Sequence, residues 1–88
     1  MGELSKLINI GEEIERQLEQ VGIKTYEELK AVGSKEAWLK IYEIDKSACT
    51  HRLMALEGAI QGIKKALLDE KVKADLRVFV KTIKNDRI

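Results

Sequence analysis

The chain has 88 residues, 44% of them hydrophobic and 35% charged, with a net charge of +1. That is room for one domain around one core, and too much apolar content for a disordered chain. With no proline, one cysteine and no apolar run near the roughly 18–20 residues of a membrane span, the sequence permits helix throughout and points away from disulfides and membrane insertion.

The elements follow in chain order. The opening "MGELSK" reads as an ordinary start rather than an acylation signal. Leu4, Leu7 and Ile8 are apolar at helical spacing and predict a short first helix. "NIG" then makes a turn at Asn9 and Gly11. The next helix carries Ile14, Leu18 and Val21 on one face. Gly22 followed by Ile23 predicts a left-handed glycine cap with an apolar residue folding back. Thr25 and Glu28 have capping-box spacing and open a helix with Tyr26, Leu29 and Val32 inward, ended by Gly33. Ser34 is expected to cap a further helix carrying Ala37, Trp38, Ile41 and Ile44. Asp45 or Ser47 should start the longest helix, with Cys49, Leu53, Leu56, Ile60, Ile63 and Leu67 as one stripe of nearly five turns. Leu53, Leu56, Ile60 and Ile63 are the expected central core. Asp69 should cap the last helix, with Val72, Leu76, Phe79, Val80 and Ile83 inward.

Period-two runs of β-branched and aromatic residues are missing, which argues against a sheet. The expected fold is therefore all-α, a compact bundle of five or six helices in a single domain over residues 1–88. The turn, helix, glycine and capping signals between Asn9 and Leu29 give its N-terminal part the look of a helix-hairpin-helix.

Such a hairpin grips DNA by offering glycine-opened backbone and helix N–H groups to a phosphate. Here Glu12, Glu13 and Glu15 fill the first turn, so Asn9, Gly11, Gly22 and Gly33 are read as structural turns. Charge is distributed unevenly. Residues 1–33 hold four basic and seven acidic groups, a net −3, while residues 64–88 hold eight and four, a net +4. In the basic part, Lys73, Arg77, Lys81 and Lys84 share a helical stripe, with Lys64 and Lys65 upstream. These four are the candidate contacts for nucleic acid or an acidic protein, weighed against a plain solvated face.

No nucleophile has an evident base, and no glycine-rich phosphate loop occurs. Cys49 and His51 lack further Cys or His to complete a zinc site. Cys49 is expected to be a small core residue, and Trp38 and Tyr42 to pack in the core or its rim. The expectation is a cytoplasmic protein that is not an enzyme and takes no cofactor or small-molecule substrate.

The segment "LINIGEEIERQLEQVGIKTYEELKAVGSKEAWLKIYEID", followed by "CTHRLMALEGAIQGI", resembles the C-terminal domain of TfoX/Sxy proteins, bacterial regulators of DNA-uptake competence. The specific parts are "GIKTYEELKAVGSKEAW" and "LMALEGAIQGI", and the resemblance covers roughly residues 4–77. It implies an all-helical fold with a non-catalytic, regulatory or binding character. The implied partner is a protein, either of the TfoX N-terminal type or from the transcription machinery, with nucleic acid as the alternative. It carries over no catalytic or cofactor residue.

Overall fold

Among the described residues, four with positive φ set corners in the chain: Asn9 (70°), Gly22 (91°), Gly33 (89°) and Gly62 (78°). The computed structural model describes residues 3–85. The reading of the start at Met1 and Gly2 lies outside them. The described residues form five helices: α1 (Glu12–Gln20), α2 (Tyr26–Val32), α3 (Ser34–Ile44), α4 (Thr50–Gln61) and α5 (Glu70–Asn85). Short 3₁₀ turns at Leu4–Lys6 and Lys65–Leu67 precede α1 and α5, and the described residues contain no strand. The fold is the all-α bundle expected.

α4 is the centre of the bundle, packing against α2, α3 and α5, while α1 lies on α3. Leu53, Met54, Ala55, Leu56 and Ala59 of α4 are buried. Around them Leu18, Leu29, Trp38, Ile41, Leu76 and Val80 complete the core. Small residues at Ala55 and Ala59 let neighbouring helices come close. Of the expected central four, Leu53 and Leu56 are fully buried, whereas Ile60 and Ile63 are half-buried at the edge. Val72, Phe79 and Ile83 of α5 likewise pack against the core from its margin.

The ends of α1 and α4 are built alike. The Ile23 N–H donates to the Leu18 carbonyl at 2.9 Å and Gly22 N–H to that of Glu19 at 3.1 Å. The Ile63 N–H reaches the Gly58 carbonyl at 2.9 Å and Gly62 N–H that of Ala59 at 3.2 Å. Both are Schellman caps, in which a left-handed glycine turns the chain back to satisfy the last carbonyls. The second cap corrects the expectation of a five-turn stripe. α4 stops at Gln61, Leu67 is 70% exposed, and the longest helix is α5.

Two further helix starts differ from expectation. α3 begins at Ser34 itself, because Gly33 adopts a φ that ends α2 and opens α3 at one residue. Ser34 is thereby freed to donate from Oγ to Glu57 Oε1 of α4 at 2.6 Å. α4 starts at Thr50 rather than at Asp45 or Ser47, with Cys49 as its N-cap residue. Cys49 is exposed, not a core residue, because its place at the cap turns the side chain outward. At α2, Thr25 Oγ1 accepts from Glu28 N–H at 3.1 Å as expected, while Glu28 Oε1 accepts from Lys24 N–H at 2.7 Å instead of from Thr25.

Asp45 binds three segments together. Its Oδ2 accepts from Gln17 Nε2 of α1 at 2.8 Å and from Arg52 Nη1 of α4 at 3.0 Å. Its Oδ1 accepts from the Ser47 N–H at 3.0 Å and from Ser47 Oγ. The Ser47 hydroxyl, then Gln17, the Ser47 N–H and Arg52, all favour the charged form and hold this carboxyl well below the usual carboxylate range. A depressed folded-state pKa adds stability above the unfolded-state value of about 3.9, lost as pH falls below it. Asp45→Asn is therefore expected to flatten the acid limb of stability below about pH 4, read by urea melts at stepped pH. An unchanged acid limb would show that Asp45 takes no part in it.

Candidate functional site

α5 begins where Asp69 Oδ1 accepts from the Lys71 N–H at 2.8 Å. Its 16 residues turn Leu76 and Val80 into the core. Beside that buried face run the four basic residues of the predicted stripe, and the structure divides them. Lys73 is drawn in, with its side chain 15% exposed. Its Nζ donates to the Ala66 carbonyl at 2.8 Å and pairs with Glu70 at 3.4 Å, so it ties α5 to the 3₁₀ turn before it. Lys84 lies half-buried with Nζ 5.9 Å from the Tyr42 ring centre. Arg77 and Lys81 are exposed, and neither makes an ion pair among the described residues.

Lys73 and Arg77 face the start of α4. With His51, Lys65 and the apolar Met54 and Ala66 they line a cavity of about 530 Å³. Among the described residues, no carboxylate lines it. Helical periodicity on α5 alone brings Lys73 and Arg77 together. It does not reveal His51, which only the packing of α4 on α5 delivers. Lys65, seen in the sequence merely as upstream charge, is set there by the corner at Gly62.

Along the same outer face of α5, Ala74, Arg77, Val78 and Lys81 are exposed at helical spacing. Val78 is 62% exposed, a large apolar side chain flanked by cations.

The turns named from the sequence sit as follows. Asn9, not Gly11, takes the left-handed conformation; Gly11 is extended and is the N-cap residue of α1. The three acids at that helix start do different things. Glu15 is buried and accepts from the Ser5 N–H at 3.0 Å. Glu13 pairs with Arg16, and Glu12 is exposed. The solvent side of this helix start is thus less acidic than three glutamates suggest.

Among the described residues, no group of three or more His, Cys, Asp or Glu is placed to hold a metal ion. No described helix is long and apolar enough to cross a membrane.

Five helices centred on α4, with an exposed basic-apolar face and no metal cluster among the described residues, define a small all-α domain. The chain belongs to the TfoX C-terminal domain family, which it matches over residues 1–80. It is 37% identical over 65 residues to Protein Sxy of Escherichia coli K12, spanning 74% of this chain but only 31% of that protein. Two solved structures are similar throughout. A triclinic crystal structure of an uncharacterized Listeria monocytogenes protein superposes with a TM-score of 0.91 at 52% identity, over 92% of each chain. A tetragonal form of a Listeria monocytogenes protein of unknown function gives 0.88 at 53% identity, over 90% of this chain and 98% of that one.

Proposed function

We propose that this domain is a non-catalytic regulatory module that acts in the cytoplasm by binding a protein through the outward face of α5. The observation that carries the reading is Val78, exposed on that face between Arg77 and Lys81. An apolar anchor with Arg77 and Lys81 to one side of it suits a partner that sets an acidic group beside an apolar contact. Family membership and the similarity to Protein Sxy support competence as the process regulated. The partner is then a protein of the TfoX N-terminal type or a component of the transcription machinery.

The second reading is nucleic-acid binding, favoured by Arg77 and Lys81 on one face, which make no ion pair among the described residues. Salt separates the two, because duplex affinity falls with a log–log slope of about −0.9 per phosphate contact. The experiment is titration calorimetry of the domain with a purified TfoX N-terminal-type domain, and separately with duplex DNA, at low and high salt. The expected result is saturable binding to the protein that survives salt and weakens at least about tenfold in Val78→Glu, as loss of a buried apolar anchor should. Binding only to duplex DNA, lost as salt rises and in Arg77→Glu, would establish the second reading instead.

A further inference from the structure

We propose that the cavity between the start of α4, the Lys65–Leu67 turn and α5 binds a small organic ligand through a phosphate group. Its volume of about 530 Å³ lies within the range of small-molecule sites, roughly 300–1,000 Å³. Basic side chains from three segments converge on it: His51 from α4, Lys65 from the turn, and Lys73 and Arg77 from α5. His51, Lys65 and Arg77 make no ion pair among the described residues. The neighbouring cavity between α3 and α5 differs, for Glu36, Glu57 and Asp75 offset Lys35 and Lys71 there.

The chemistry of the lining selects the ligand. Lys65 and Arg77 bring two positive charges that no described carboxylate pairs, and a phosphate monoester is close to dianionic at neutral pH. Arg77 offers the planar fork that phosphate oxygens accept in pairs. Lys73, held by the Ala66 carbonyl and paired with Glu70, is a fixed group in the lining rather than a mobile one. The Thr50 hydroxyl and the first N–H groups of α4 add donors on the same side. The α4 first turn contains no acidic residue to compete. A phosphate alone would leave much of the volume empty, and Met54 and Ala66 give an apolar surface for an organic part.

The test is an amide-resolved NMR titration of the whole domain with inorganic phosphate, a nucleoside 5′-monophosphate, glucose 6-phosphate and a short DNA duplex. Expected are saturable shifts at Thr50, His51 and Ala66 with at least one ester, with a dissociation constant of about 1 mM or lower and weaker binding of inorganic phosphate. Arg77→Gln should weaken the ester at least about tenfold, while Lys81→Gln, on the same helix but outside the cavity, leaves it unchanged. Val78→Glu should also leave it unchanged, which separates this site from the protein-binding face. Equal affinity for inorganic phosphate and the esters would overturn the proposal. So would equal losses in the Arg77 and Lys81 variants, or saturation with duplex DNA alone, which would assign the charge to nucleic acid.

Discussion

Replacing Trp38 with alanine is expected to destabilise the domain by about 3–5 kcal/mol, measured by urea denaturation. Trp38 is fully buried and stacks on Tyr42 with ring centres 4.9 Å apart and planes 10° apart. It also meets Phe79 of α5 edge-on at 6.1 Å. Its Nε1–H donates to the Cys49 carbonyl at 3.1 Å, which fixes the residue from which α4 starts. One side chain therefore links α3, α4 and α5, and alanine would leave a void that all three must collapse around. Since a domain of this size is held by only about 5–15 kcal/mol, that loss is a large share of the total. Trp38→Phe separates the contributions. It keeps most of the ring packing and removes the N–H. The Cys49 carbonyl still accepts from Arg52 and Leu53 N–H, so no orphaned acceptor results. The phenylalanine variant should recover more than half of the loss. Equal losses in both variants would show that the hydrogen bond, not the packing, carries the effect.

What could be read in the sequence depended on whether the signal was local. Gly22–Ile23 after a periodic run announced a left-handed cap, and the structure places Gly22 at a φ of 91°. Gly62–Ile63 carries the same signature, but the apolar spacing of Ile60, Ile63 and Leu67 continues across it and masks the cap. Asn9 was a plausible turn residue. That it, rather than Gly11, takes the left-handed conformation follows from a contact more than fifty residues away, which no local rule contains. Ser34 looked like a cap because a serine before a helix usually is one. It lost that role because Gly33 could turn the chain by itself and Glu57 offered a partner across the bundle. The candidate site shows the same division. Lys73 and Arg77 share a face by spacing alone. The withdrawal of Lys73 to the Ala66 carbonyl and the arrival of His51 and Lys65 beside Arg77 are products of packing.

That distant contact leads to the second large effect, at Gly58. By propensity alone, Gly58→Ala in the middle of α4 should stabilise the helix by about 1 kcal/mol. The expected result is the reverse, a loss of about 2–3 kcal/mol in the same urea measurement, from overpacking and broken hydrogen bonds together. A methyl group at position 58 would run into Asn9 Nδ2, lie 2.8 Å from the Ile63 carbonyl oxygen and 3.3 Å from Lys65 Cα. The first atom can move, but the other two are backbone. Moving Asn9 is itself costly, because its Nδ2 donates to the Ile63 carbonyl at 2.8 Å and its Oδ1 accepts from the Lys65 N–H at 3.2 Å. These two bonds clamp the first turn of the chain onto the end of α4. The Tyr26 hydroxyl donates to the Ile60 carbonyl at 2.8 Å and closes the same helix end from α2. The glycine exists to let the clamp approach. Asn9→Gly tests this directly, since glycine tolerates the positive φ and removes only the side chain, at an expected cost of about 1–2 kcal/mol. The double variant should lose about 1 kcal/mol less than the two single losses combined, because the alanine then has one clash fewer. Strict additivity, or a stabilising Gly58→Ala, would mean that Asn9 does not hold the end of α4.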